Sequence, residues 1–217
     1  MGTTSTDSRL LDVAIDHFGR LGLEGASTRA IARDAETLMS SITYHFGGKE
    51  GLYLATAGHI ATILHAHIAP TLDRASALCG DDGSIADARA AIHAMIEGML
   101  AVMVRNETEA MARFIVREQA DPTAAFSHLY NGVMGQVLDR MAALLARVSG
   151  NRLSSDEARV RAITLVGQVL VFRVARATVM TGMGWSQITG EPVGMIAGAI
   201  RANLNAILDH IQTGETA

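Results

Sequence analysis

Along most of this chain apolar residues recur every three or four positions, the spacing that lays one stripe along an α-helix. Leu11, Ala14, Ile15 and Phe18 begin the pattern, with Asp7 or Ser8 placed to cap the helix and Gly22 to end it. Ser27 can cap a second helix of barely two turns, in which Ile31 and Ala35 point inward. After a break at 36–38, Met39, Ile42 and Phe46 form the buried face of a third short helix. At 100° per residue, Ser40, Ser41, Tyr44 and His45 then lie on the opposite face and Thr43 on the shoulder. Gly47-Gly48 ends this helix, and Lys49-Glu50-Gly51-Leu52 opens a fourth that runs through Ile60 and Leu64 to about Pro70.

Downstream the stripes lengthen. Asp81, Asp82 and Gly83 read as a loop, and Ser84 with Asp87 as a capping box before Ile85, Ala88, Ile92, Met95, Met99 and Met103. Asn106 starts a sixth helix containing Met111, Phe114 and Ile115, and Asp121-Pro122 ends it while capping a long seventh that carries Phe126, Tyr130, Val137, Met141, Leu144 and Val148. Ser154 and Glu157 form a second capping box for an eighth helix reaching Gly182. Its middle is apolar nearly all round, as in a helix buried both in its own core and at a subunit interface. A loop with Trp185 leads to a last helix through Ile196, Ile200, Leu204, Leu208 and Ile211. The expectation is an all-α chain of about nine helices: an N-terminal three-helix domain, residues 1–54, and a larger helical bundle, residues 55–217. The boundary falls inside the fourth helix, near Gly51 to Gly58.

Composition agrees and narrows the function. The 217 residues are 49% hydrophobic and 4% aromatic with three prolines, enough to bury a large helical core. Cys79 is the only cysteine, which excludes an intrachain disulfide framework or a multi-cysteine metal site. The longest apolar run, 162–172, meets Arg173 and Arg176 before it reaches the roughly 20 residues of a membrane span. No basic segment and apolar run mark an export signal, so a cytoplasmic protein without membrane association is expected. Enzymatic constellations are missing: no Glu has His three residues on, His65 and His67 sit about 200° apart on a helix, and Gly48-Lys49 is followed by Glu50 rather than Ser or Thr. No catalytic residue, metal site or cofactor is assigned.

Two short helices joined by a tight turn, the second with a polar outer face, satisfy the geometry of a helix-turn-helix. The N-terminal amides of the first, with Ser27, Thr28 and Arg29, can hold phosphate. Met39, Ser40, Ser41, Thr43, Tyr44 and His45 of the second can meet base edges. Lys49, the only lysine in the chain, can clamp a phosphate at the start of the next helix. The same pattern fits a helical hairpin with a solvated polar face. Against nucleic acid stands the charge: the first 55 residues carry five basic groups and seven acidic ones, and the whole chain is −4.

The run Ile42-Thr43-Tyr44-His45-Phe46-Gly47-Gly48-Lys49-Glu50 resembles the DNA-binding domain of the TetR family of bacterial transcriptional regulators, and the similarity extends from about Leu10 to Leu54. The segments 114–119, 121–123 and 167–173 further resemble the CecR-like branch of that family. The turn departs from the family pattern, with Glu36 where Gly is usual and Leu38 where a small polar cap is usual. The resemblance implies a homodimeric repressor that binds a pseudo-palindromic double-stranded DNA operator and is released by a small-molecule effector. It implies an effector site in the C-terminal bundle, for which Met99 and Phe114 with Phe172 offer apolar surface, and His93, Glu97, Arg113, Arg117 and Gln168 offer polar groups. Each polar group serves equally well in a structural ion pair or a dimer contact. The alternative is a helical small-molecule-binding or scaffolding dimer without specific DNA binding, favoured by the acidic balance and Glu36.

Overall fold

The computed structural model describes residues 3–80 and 82–214, with backbone alone for 3–6 and 106. Every regular element among them is helical: α1 (Thr3–Gly25), α2 (Thr28–Asp34), α3 (Met39–Phe46), α4 (Lys49–Leu78), α5 (Ile85–Met103), α6 (Glu109–Ala120), α7 (Ala124–Leu129), α8 (Gly135–Val148), α9 (Ser155–Val174), α10 (Arg176–Met183) and α11 (Glu191–Thr213). A 3-10 turn, Asn106–Thr108, precedes α6, and a π-helical segment, Tyr130–Met134, separates α7 from α8. The all-α class is therefore as the periodicity predicts. Both capping boxes form: Ser84 and Ser154 accept from the backbone N–H of Asp87 and Glu157, whose carboxylates accept from the cap N–H groups.

Several boundaries differ from the sequence reading: α1 begins at Thr3 rather than after Asp7 or Ser8, and α6 begins at Glu109, behind a 3-10 turn, rather than at Asn106. The fourth helix does not stop at Pro70 but continues to Leu78. Pro70 is exposed, while Ile68, Ala75 and Cys79 keep one buried face beyond it, and that burial outweighs the one hydrogen bond proline removes. The cap of α7 is Thr123, which accepts from the Ala125 N–H at 3.1 Å, and Asp121 instead ends α6. The long seventh helix is interrupted by the π segment, at a point where Gly132 lies so close to Ala61 that a Cβ on it would sit 2.6 Å from the alanine methyl. The eighth ends at Ala175, where the axis turns by 74° into α10. Of the loop at 81–83, Asp81 lies outside the described residues.

Contacts divide the chain into two compact units, residues 1–65 with 107–134 and residues 66–106 with 135–217. In the first, Phe18, Ile31, Ile42, Leu52, Ile60, Phe114 and Leu129 share one core, with α6 packed along α1 and with α2 against both α1 and α3. This packing unit is larger than the N-terminal segment alone, because α6 and α7 supply Met111, Phe114, Ala125 and Leu129 to its core. In the second, α5, α8 and α9 pack on one another and α11 closes against them, burying Ile92, Met95, Met141, Leu144, Val169 and Leu208.

Candidate nucleic-acid interface

Ser27, extended at φ −107°, caps α2 by accepting from the Ala30 N–H at 3.4 Å, which leaves Thr28 and Arg29 in the first turn. The chain leaves α2 through Glu36, whose φ of 52° is left-handed, a conformation that costs residues with a Cβ and is usually given to glycine. Arg9 holds it there from α1: one guanidinium nitrogen donates to the Glu36 carboxylate at 3.1 Å and another to its carbonyl at 3.2 Å. The glycine usual in such turns is thus replaced by an ion-paired glutamate.

In α3, Ile42 is buried against the first unit's core and Phe46 packs partly into it. Tyr44 stands 85% exposed, Ser40, Thr43 and His45 are exposed, and Ser41 is half-buried with its hydroxyl accepting from Thr37 at 3.3 Å. Met39 departs from expectation. It is half-exposed rather than buried, since it opens the helix and Ile42 is the first residue to reach the core. His45 turns back to Asp7 of α1 at 3.5 Å and meets the Tyr44 ring edge-on at 4.9 Å. Gly47 ends α3 in the left-handed region. Gly51 is fixed by packing, because a Cβ there would lie 1.7 Å from the Phe46 carbonyl oxygen. That contact sets the first turn of α4 directly against the end of α3. Lys49, at the head of α4, donates to the Glu24 carbonyl at 2.9 Å, so its ammonium joins the end of α1 to the start of α4.

The acidic groups of this unit are mostly engaged internally. Asp12 pairs with His59 at 2.8 Å, Asp16 with Arg20 and Arg113, and Asp34 with His17 at 2.8 Å. The adjoining Arg33 guanidinium, and after it His17, hold the Asp34 carboxyl below the ordinary range. The helix α3 itself carries no acidic residue.

One functional group escaped the sequence reading. Glu118 is 1% exposed and accepts from the Tyr53 hydroxyl at 2.6 Å and from the Thr123 N–H and hydroxyl at 3.0 Å. Burial, followed by the Glu118 bond, pushes the Tyr53 phenol above its ordinary value. The signal was present, for Met111, Phe114 and Glu118 follow the i, i+3, i+7 phase of a buried stripe.

The residues assigned to an effector site are divided. Arg113 pairs with Glu109 and Asp16, Arg117 donates to the Arg20 carbonyl, and Phe114 is fully buried, all inside the first unit. In the second unit Met99 is buried, and Gln168 accepts from Asn203 at 3.4 Å with Phe172 half-buried one turn on. His93 and Glu97 belong to a polar ladder between α5 and α11. Arg89 bonds Asp209 at 2.6 Å, His93 meets Asn205 at 2.9 Å, and Glu97 accepts from Arg201 at 2.7 Å. The rungs step by four residues up one helix and down the other, the register of an antiparallel pair. His93, Glu97 and Arg201 line a shallow, solvent-open groove with Ile96, Leu100 and Ile200, whose room is about 10 Å³, that of a single water and far below an ordinary ligand pocket. Among the described residues no group of three or more His, Cys, Asp and Glu is placed to hold a metal ion, and no single helix is long and apolar enough to cross a membrane.

Residues 10–56 match the family described as bacterial regulatory proteins, tetR family, and residues 88–211 match the C-terminal domain of the HTH-type transcriptional dual regulator CecR. The chain is a TetR-family transcriptional regulator of the CecR type. It is similar to the HTH-type transcriptional dual regulator CecR of Shigella flexneri, with 29% identity over 92% of this chain and 90% of the relative. Solved structures share its fold at lower identity. The crystal structure of AibR in complex with isovaleryl coenzyme A and operator DNA gives a TM-score of 0.66 at 15% identity, covering 90% of this chain and 96% of that one. SCO4454, a TetR-family regulator from Streptomyces coelicolor, gives 0.65 at 15%, covering 96% and 97%. Membership in this family identifies α2 and α3 as its helix-turn-helix.

Proposed function

We propose that this TetR-family regulator is a cytoplasmic homodimeric repressor that binds a pseudo-palindromic operator and is released by a small-molecule effector. Residues 1–54 are its DNA-reading segment, and residues 55–217 carry effector binding and dimerisation. The observation that carries the reading is α3: a short helix with no acidic residue, presenting Ser40, Thr43 and Tyr44 outward beside the phosphate-binding start of α2 at Ser27, Thr28 and Arg29. Met39, Ser41 and His45 flank the base-reading face, and Lys49 adds a cation at the head of α4.

Dimerisation is supported by α9. Val160, Ile163, Leu170, Val171 and Val174 are between 37% and 60% exposed on one protomer, and they follow a three-and-four spacing with the exposed Gly167 between them. A stripe of this kind wants a second helix, and a two-fold partner sets two α3 helices one DNA turn, about 34 Å, apart. An effector releases the dimer by preferring a different spacing, since only differential affinity shifts a population. The AibR precedent, isovaleryl coenzyme A together with operator DNA, places acyl thioesters among the compounds to screen. Within the second unit, His93, Glu97, Met99, Gln168 and Phe172 are the groups to test for binding. Arg113, Phe114 and Arg117 serve the α1–α6 contact.

The competing reading, a ligand-binding dimer without specific DNA binding, is favoured by the five-to-seven charge balance of the first 55 residues. Fluorescence anisotropy with a duplex from the protein's own promoter, titrated against salt and against random duplex, separates them. A repressor gives a steep salt slope and a preference of about a thousandfold or more. Equal affinity for both duplexes at low salt would leave the scaffold reading standing.

A further inference from the structure

The residue that opens α3 differs in kind from the caps of four other helices. Serine or threonine caps α2, α5, α7 and α9, each accepting a backbone N–H. The N-cap of α3 is Leu38, extended at φ −82° and ψ 142°, and it makes no capping bond. Its side chain gains nothing in return from packing, for Leu38 is 73% exposed and Met39 beside it 50%. Leu38 thus neither caps its helix nor enters the core, and with Met39 it forms an exposed apolar corner at the start of the helix read as facing DNA.

Resting on the operator-binding reading above, we infer that Leu38 and Met39 read the 5-methyl groups of thymine in the major groove. The N-terminal residues of a recognition helix are those that meet base edges. Neither side chain can read a base by conventional hydrogen bonding, Leu38 having no donor or acceptor and the Met39 thioether only a weak acceptor. Of the four bases only thymine presents an apolar group to the major groove. The exposed apolar corner is thus covered by methyls, while Ser40 and Thr43 supply polar contacts along the same face. Leu38 and Met39 are specificity-determining residues, and the operator half-site carries a thymine opposite each or shared between them.

The experiment replaces single thymines by deoxyuridine, which removes the methyl and leaves every hydrogen-bonding group in place. Duplexes selected from a random library by the full-length protein are resynthesised with one deoxyuridine at a time in one half-site. At one or two positions affinity should fall about fourfold, the effect of one buried methyl. Leu38→Ser, at an exposed position where serine supplies the missing cap, should fold with an unchanged or higher melting temperature and bind the thymine and deoxyuridine duplexes alike at one of those positions, with Met39→Gln doing so at the same or a neighbouring one. The inference is overturned if no deoxyuridine changes affinity, or if the loss persists undiminished in both variants. Should selection enrich no sequence at all, the repressor reading itself falls, a result distinct from either.

Discussion

Replacing Tyr53 by phenylalanine isolates the buried bond that joins α4 to α6. The aromatic packing survives, because the edge contact with Phe18 at 4.9 Å and the tilted contact with Phe114 at 4.7 Å need only the ring. What is lost is the hydroxyl that donates to Glu118 at 2.6 Å. A hydrogen bond to a charged acceptor contributes about 1.5–3 kcal/mol. Glu118 keeps both Thr123 donors, so the cost lies near the middle of that range, about 2 kcal/mol. For a chain of this size melting as one transition, that is a fall of roughly 4–8 °C in melting temperature.

The same bond has a pH signature that a packing defect lacks. Burial and Glu118 raise the Tyr53 phenol in the folded state above its ordinary value of 10.0, so folding favours the protonated phenol. Its stabilisation is complete below about pH 10 and drains away above that, at about 1.4 kcal/mol per pH unit, once the unfolded tyrosine ionises and the folded one does not. The wild type therefore loses stability faster than Tyr53→Phe above pH 10, and the gap between them narrows. Urea unfolding followed by circular dichroism at pH 7, 9, 10 and 11 measures it. A variant within about 0.5 kcal/mol of wild type at pH 7, or a gap that stays constant to pH 11, would refute the reasoning.

Three further perturbations test the remaining contacts. Glu36→Gly relieves a left-handed residue by about 1–2 kcal/mol and gives back about 0.4–1 kcal/mol through the looser unfolded chain, while the Arg9 bond to the carbonyl survives. Thermal melting should move little, and DNA affinity should rise several-fold at low salt and less at high salt. Lys49→Ala removes both the clamp on the Glu24 carbonyl and a cation near phosphate, so it should weaken binding to specific and random duplexes alike and flatten the salt dependence by about one unit per protomer. Ile163→Asp places a charge in the exposed α9 stripe, and sedimentation should show a helical monomer at micromolar concentration where the wild type is a dimer.

The helices were legible because amphipathic stripes and caps are local: Ser27, Ser84 and Ser154 announce α2, α5 and α9, and Ile42 fixes the phase of α3. What the sequence concealed depends on distance. Nothing near Pro70 says that Ile68, Ala75 and Cys79 will share a buried face strong enough to carry the helix past it. The close approach of Gly132 to Ala61 spans most of a hundred residues, and so does the assignment of α6 to the core of α1. His93 and Glu97 illustrate the limit at the site: a polar residue on an apolar stripe is visible, but its partners Asn205 and Arg201 are not. Glu118 is the reverse case, its buried phase readable and its partners Tyr53 and Thr123 brought to it only by folding.

The charge balance that counts against DNA binding looks different once the pairs are known. Of the seven acidic groups in the first 55 residues, Asp7, Asp12, Asp16, Asp34 and Glu36 each face a histidine or arginine within 3.5 Å. Three of these, Asp7, Asp12 and Asp16, lie on α1, where they serve the packing of α3, α4 and α6. The arginine partners of Asp16, Asp34 and Glu36 make each of these pairs a compact dipole, whose field is screened within a Debye length of about 8 Å. The elements that would touch the duplex, the start of α2 and the outer face of α3, carry Arg29 and no carboxylate between Ser27 and Arg33 or between Thr37 and Glu50. Net charge therefore governs long-range attraction and leaves the contact face open to DNA. Association should be slow for a DNA-binding protein and only weakly accelerated by lowering salt, so the salt slope of the equilibrium is carried by dissociation, while discrimination rests on short-range groups, including the uncapped leucine at 38.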